Sequence, residues 1–218
     1  MKILNPQVRS DLDAGVSLKL DLGSGGEKLD GFYSVDLLEL DGVDIVADLN
    51  EPLELLPDNS VEQIYTRHTL EHIENLVGLL REIRRITKPD GTIEIIVPHF
   101  SNPHYYSDPT HIRPFAMYSM YYYMDHAKQP AKRKVPCFYS DVRFIVEKVE
   151  IDFYYTTFLD RLVAPIIRRL TNRSPAWQEF YERRLSRLWH ARQVRYVMRP
   201  DKHDGGSNRG TRRMTRKI

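Results

Sequence analysis

One cysteine, Cys137, stands among 218 residues. A single thiol excludes an internal disulfide and a cysteine-based zinc site. It fits a reducing compartment, and the expected setting is cytoplasmic. Long apolar runs are also missing. Met1 to Asp13 holds no apolar stretch flanked by basic residues, so no signal peptide is expected. No later stretch reaches the roughly 20 apolar residues that a membrane-spanning helix needs. A surplus of one charge is missing too. The 32 Lys and Arg nearly balance the 30 Asp and Glu, for a net charge of +2. The chain as a whole therefore does not announce a nucleic-acid partner. What remains is 41% hydrophobic and 28% charged, the make-up of a globular chain with one core.

The first organised stretch is Leu18-Lys19-Leu20-Asp21-Leu22-Gly23-Ser24-Gly25-Gly26. Apolar and polar residues alternate from Val16 to Leu22, which predicts a strand. Three glycines within four residues then break it. Glycine turns sharply and lets a ligand lie against the backbone. A strand leading into a glycine-rich turn is how open α/β sheets build a nucleotide site, although glycines also make plain turns.

Before it, residues 1–15 read as a lead-in that caps the sheet. After it come strands over 31–37 and 43–49, each with an acid near its end, Asp36 and Asp48. The gap from Gly26 to Phe32 is too short for a full helix, so the first crossover is a stub. Residues 61–66 form the next strand. Leu70, Ile73, Val77, Leu80, Ile83 and Ile86 recur at helical spacing, which predicts a helix over 70–87. Lys88-Pro89-Asp90-Gly91 stops it, and a strand follows over 92–97. Residues 98–115 form a loop, 115–124 a helix and 128–134 a basic loop. A long strand over 142–155, amphipathic Arg-rich helices over 159–170 and 176–189, and a last strand over 193–198 complete the pattern. Residues 201–218 read as a disordered basic tail. Alternating strands and helices mean a parallel sheet with right-handed crossovers.

The order Asp21-Leu22-Gly23-Ser24-Gly25-Gly26, Val35-Asp36-Leu37, Ala47-Asp48-Leu49, His68-Thr69-Leu70-Glu71-His72-Ile73 and Lys88-Pro89-Asp90-Gly91-Thr92 resembles the class I S-adenosylmethionine-dependent methyltransferases. The resemblance covers residues 16–100. It is nearest to small bacterial members associated with sugar and glycan processing, which share the short crossover and an Asp-Pro-Thr-His segment. It implies a doubly wound, Rossmann-like, mostly parallel α/β sheet with a reversed last strand. It also implies one domain over 1–200, with a cofactor half at 16–100, a substrate lid at 98–135 and a helical insertion at 158–190.

The resemblance carries the cofactor contacts over to this chain. Gly23, Ser24 and Gly25 would pack on the methionine part, with Asp21 facing its amino group. Asp36, with Leu37 beside it, would take the ribose hydroxyls, since a carboxylate accepts two hydrogen bonds. Asp48 would take the adenine amino group and the Leu49 amide the ring. The chain departs from the family where the third glycine comes early, at Gly26, with Glu27 next.

His68 follows the fourth strand of this scheme. It lines the methyl site, acts as a base, or packs beneath the cofactor. Glu71 and His72 read as packing or capping positions. In the loop, His111 is the best candidate for a general base on an acceptor hydroxyl, with Asp108 orienting it or binding sugar hydroxyls. A turn held by Asp108 and His111 is the plain alternative. His104 is the second candidate base. Together with Tyr105, Tyr106 and Arg113 it is expected to bind the acceptor. Three histidines and an aspartate in this loop also invite a metal, but prolines interrupt them and their spacing matches no zinc pattern, so no metal is expected.

The strand end Tyr65-Thr66-Arg67-His68 lacks an Asn/Asp-Pro-Pro-aromatic box, and no cysteine sits at a nucleophile position. Both argue against methylation of DNA bases. The favoured function is O-methylation of a small-molecule or glycan acceptor. An RNA or protein acceptor, a non-catalytic cofactor-binding module and, distantly, a dehydrogenase are the alternatives. The Arg-rich helices offer a surface for RNA or anionic lipid, with Arg161, Arg168, Arg169, Arg173, Arg183, Arg184, Arg187, Arg192 and Arg195. Arg209, Arg212, Arg213, Arg216 and Lys217 of the tail would add to it.

Overall fold

The structure is a computed structural model that describes residues 1–131 and 133–202. Eight strands form one sheet. They are β1 (Lys2–Ile3), β2 (Leu18–Leu22), β3 (Tyr33–Asp36), β4 (Ile45–Val46), β5 (Val61–Arg67), β6 (Thr87–Pro98), β7 (Phe144–Phe153) and β8 (Ala191–Pro200). Their order in space is β1-β4-β3-β2-β5-β6-β8-β7. The five central strands, β4, β3, β2, β5 and β6, run parallel. The last strand, β8, is reversed between β6 and β7, and the short β1 is reversed at the far edge. This is the Rossmann-like α/β sheet with a reversed last strand that the sequence predicts.

The parallel strands supply the core because their inward residues are aliphatic. Leu18, Leu20, Leu22, Val35, Ile45, Ile64, Ile93, Ile95 and Val97 are all buried. Each such side chain contributes about 1.5–3 kcal/mol on leaving water. Helix α1 (Pro6–Asp13) is started by Asn5, whose side chain accepts from the Gln7 amide. Helix α2 (Leu76–Ile86) presses Leu76, Leu79, Leu80, Ile83 and Ile86 onto the sheet. Helices α3 (Phe158–Thr171) and α4 (Pro175–Phe180) lie between β7 and β8 in the chain. A Thr157–Asp160 capping box begins α3.

Between β2 and β3 there is no helix, so the first crossover is indeed a stub. Several elements differ from their predicted form. The helix over 70–87 is two pieces, a 3₁₀ turn at Leu70–His72 and then α2. Asn75 makes the break, because its side chain caps the Gly78 amide and starts a new helix. Leu70 and Ile73 are buried all the same, which preserves the helical periodicity across the break. Residues 115–124 hold only a 3₁₀ turn, Ser119–Tyr123. The helix over 176–189 is α4 followed by a π-helical turn, Tyr181–Leu185. Strand β6 begins at Thr87, and Lys88 to Gly91 bulge out between the pairs Val61–Thr87 and Gln63–Thr92.

The tail does not begin at residue 201. Asp201 is buried, its amide donates to the Arg143 carbonyl at 3.0 Å, and its carbonyl accepts from Arg84 at 2.8 and 3.1 Å. Lys128 pairs with its carboxylate. The remainder of the predicted tail, with Arg209, Arg212, Arg213, Arg216 and Lys217, lies outside the described residues, as does Lys132 of the basic loop.

Candidate active site at the carboxyl ends of the parallel strands

Strands β2 to β6 all end on one side of the sheet, where ligands bind in folds of this kind. The turn after β2 is built for close approach. Gly23 and Gly25 have φ of 75° and 61°, in the left-handed region that favours glycine. A Cβ on Gly23 would run into the Thr69 side chain, whereas Gly25 faces open space. The turn is latched to β3. The amides of Gly23 and Ser24 donate to the Val35 carbonyl at 2.8 and 3.2 Å, and the Gly25 amide donates to Asp36 Oδ2 at 2.8 Å. Most amide donors of the turn are therefore occupied. What it offers a ligand is its open backbone surface and the side chains of Asp21 and Ser24.

Asp21 and Ser24 line a cavity of about 180 Å³ with Gly23, Glu27, Lys28, Leu29, Tyr65 and Arg67. Asp21 is 7% exposed. Burial, reinforced by the charges of Glu27 and Asp36, raises its pKa to about 6. The Ser24 hydroxyl is buried without a hydrogen-bond partner. A buried acid and an orphaned hydroxyl beside an open glycine turn suit a ligand that carries an amino-acid group. Asp36 ends β3 with each carboxylate oxygen on an amide, Gly25 on one and Leu38 on the other at 3.2 Å. Its lone pairs leave room for further donors. Leu37 beside it is exposed. Asp48 is exposed and closes a turn by accepting from the Asn50 amide and side chain at 2.9 and 3.0 Å. Leu49 is buried.

Facing this half is a cluster of three histidines and one glutamate. His68 follows β5 with φ 53°, uncommon for a side-chain-bearing residue. Its amide is tied to the Ile96 carbonyl at 2.9 Å. Next to it, the Thr69 hydroxyl reaches the Leu22 carbonyl at 3.2 Å and so joins the cluster to the glycine turn. His68 Nδ1 lies 3.5 Å from Glu71 Oε1, and His111 Nε2 lies 3.9 Å from the same oxygen. Glu71 is fully buried. His72 and His111 have ring centroids 4.7 Å apart, and the Tyr105 ring stacks on His111 at 4.9 Å.

The predicted acceptor residues are dispersed. His111 Nδ1 donates to the Tyr105 carbonyl at 2.8 Å, so that carbonyl, not Asp108, orients the ring. Asp108 Oδ1 accepts from the amide and hydroxyl of Thr110 at 2.9 and 2.6 Å, while its Oδ2 lies 3.8 Å from His111 Nε2. Thr110 lowers the Asp108 pKa through these bonds. His104 packs edge-on to Tyr154 and lines a separate cavity of about 370 Å³ with Thr156, Leu159 and Trp189. Tyr106 is exposed. Arg113 donates to the Glu74 carbonyl at 3.0 Å and borders a third cavity, about 360 Å³, with Tyr122, Tyr123 and Tyr139. His99, the first histidine of the loop, is fully buried between Ser101 and Glu182 and braces the loop.

From the sequence Glu71 reads as a packing or capping position. Its burial without apolar neighbours in the helical register is visible only in three dimensions. The Arg-rich surface is also less free than its sequence suggests. Arg195 is clamped between Glu94 and Glu150 within the sheet, Arg168 pairs with Asp152 at 2.6 Å, and Arg183 lies 3.6 Å from Glu179.

Comparison with known proteins bears on the fold. Residues 34–95 match the family model described as a methyltransferase domain. No curated protein sequence matches the chain. Among solved structures, the chain is similar to a complex between the Haloferax volcanii Trm112 methyltransferase activator and a methyltransferase. The identity is 13%, coverage is 86% of this chain and 83% of that one, and the TM-score is 0.52. It is also similar to a SAM-dependent methyltransferase from Archaeoglobus fulgidus, at 20% identity, with coverage of 89% and 91% and a TM-score of 0.50. The fold is thus that of the S-adenosylmethionine-dependent methyltransferases, and residues 34–95 are similar to a methyltransferase domain. The cofactor of such a domain is S-adenosylmethionine. No helix among the described residues is long and apolar enough to cross a membrane.

Proposed function

We propose that this chain transfers a methyl group to a hydroxyl of a small-molecule or glycan acceptor. The observation that carries this reading is the His68–Glu71–His111 cluster, joined through Thr69 to the glycine turn. Asp21, Ser24, Gly25, Asp36, Asp48 and Leu49 would hold the cofactor, which when bound supplies a methyl group on a sulfonium. The rest of the chemistry belongs to the chain. An acceptor hydroxyl has to lose its proton as it attacks, and an imidazole near neutral pH suits that task. His68 keeps 35% of its side chain exposed, with Nδ1 3.5 Å from Glu71, and is the imidazole proposed to take the proton. Glu71 then faces the imidazolium. His111, 11% exposed, points Nε2 inward and supports the cluster from behind. His111 is tied to Tyr105 by the Nδ1–carbonyl bond at 2.8 Å and by ring stacking, so these two would contribute by positioning.

The third helix supports a further reading of partner surface. Phe158, Leu159, Leu162 and Ile166 are exposed on α3 beside Arg161 and Arg169. Exposed apolar side chains mixed with arginine suit an anionic lipid surface better than an RNA backbone. A sugar acceptor held on lipid would fit both features. The test of function is formation of S-adenosylhomocysteine from S-adenosylmethionine across a panel of sugar hydroxyl, RNA and protein acceptors. Turnover confined to RNA or protein acceptors would defeat the proposal.

A further inference from the structure

We infer that Glu71, His72 and His111 bind a divalent transition-metal ion on the acceptor side of the site. The three residues offer one oxygen and two nitrogens that all lie within 4.8 Å of one another. Glu71 is 0% exposed, and neither of its carboxylate oxygens accepts a hydrogen bond. A buried carboxylate without partners is costly unless a cation meets it. The two imidazoles nearest it, His68 at 3.5 Å and His111 at 3.9 Å, stand too far away to hydrogen-bond.

The protons of both ligand histidines are placed by their other contacts. His111 Nδ1 has a carbonyl, that of Tyr105, at 2.8 Å, so this nitrogen carries the hydrogen. Its Nε2 lone pair then faces Glu71. The Thr110 hydroxyl has one proton, directed to Asp108 Oδ1 at 2.6 Å. It therefore accepts from His72 Nδ1 at 2.8 Å, which frees the Nε2 lone pair of His72 as well. Imidazoles that donate from one nitrogen to a carbonyl or carboxylate-bound hydroxyl keep the other lone pair for a metal, as metal-bound histidines do. Bond lengths of about 2.0–2.2 Å would draw the three atoms to roughly 3.5 Å apart, a side-chain adjustment only.

Two nitrogens and one carboxylate select a first-row transition ion over magnesium or calcium. Three protein ligands leave a position open, as catalytic rather than structural sites do. Sequence spacing hid the set, because only His111 comes from the histidine-rich loop while Glu71 and His72 come from the turn after β5. The role of such an ion rests on the proposed function. It would hold the acceptor oxygen and favour loss of its proton, with His68 beside it.

The test uses the full chain stripped with chelator and titrated with Co²⁺, followed by visible absorption, and with Zn²⁺, followed by calorimetry. The expected result is one ion per chain, with Glu71→Gln and His111→Gln each weakening binding at least about 100-fold, and Thr110→Val about tenfold through the lost partner of His72. Melting controls for folding. Without metal Glu71→Gln melts no lower than the parent, and added Zn²⁺ raises the melting point of the parent alone. Absence of stoichiometric binding, or equal affinity in the variants, overturns the site. S-Adenosylmethionine binding measured on the same stripped protein reports separately on the proposed function.

Discussion

Thr69 occupies the space that any side chain at position 23 would need. A Cβ on Gly23 collides with the Thr69 side chain, whose hydroxyl also reaches the Leu22 carbonyl at 3.2 Å. The glycine turn after β2 and the His68–Glu71 segment after β5 therefore meet at Thr69. Gly23→Ala should lower both the melting temperature and the affinity for S-adenosylmethionine. The left-handed φ alone costs about 1–2 kcal/mol, and the collision adds to it. Thr69→Ala in the same chain should restore part of the loss. Full activity in the single variant would show that the contact does not matter.

If Asp21 faces the cofactor's amino group as proposed, cofactor binding should depend on pH. In the free protein its pKa is raised to about 6, chiefly by burial. The raised value also means that Asp21 adds stability below about pH 4, where it is protonated in both states, and loses it as the pH climbs through 6. Binding an ammonium group favours the charged carboxylate. Affinity for S-adenosylmethionine should then fall as the pH drops below 6, and Asp21→Asn should bind weakly with that dependence flattened. Calorimetric titrations from pH 5 to 8 read both effects. A wild-type affinity unchanged from pH 7 to pH 5 would remove Asp21 from the cofactor site.

Asp36 both braces the turn and ends β3. Asp36→Ala removes the partner of the Gly25 amide and, on the proposed cofactor site, an acceptor for the ribose hydroxyls. A charge-assisted bond is worth about 1.5–3 kcal/mol, so affinity should fall some 10- to 100-fold. Nicotinamide cofactors should bind neither form.

Variants of His68 and His111 test whether binding and chemistry separate as proposed. His68→Ala should reduce turnover by about 10² or more, the usual contribution of a general base, with S-adenosylmethionine affinity kept within a few-fold. His111→Ala should also lose turnover and spare cofactor binding. Equal loss of affinity in both variants would mean that the histidines pack beneath the cofactor instead.

These expectations divide along the line of what a sequence carries. Alternation in Leu18 to Leu22 and the stub crossover could be read directly, because strand burial and chain length are local. Five short motifs in order were enough for the sheet. The broken helix was hidden, since Leu70 and Ile73 stay buried after Asn75 restarts the chain as α2. The acceptor side was hidden for another reason. His99, His104 and His111 are near in sequence, yet His99 braces Glu182, His104 lines a different cavity, and only His111 meets Glu71. Asp201 escaped because its partners Arg84, Lys128 and Arg143 lie far back in the chain.

The most direct test is calorimetric binding of S-adenosylmethionine and S-adenosylhomocysteine to the purified chain, with NADH as the control. The account predicts saturable, one-to-one binding of both sulfur ligands and none of NADH. Binding of NADH in place of the sulfur ligands, or of none of the three, would contradict it.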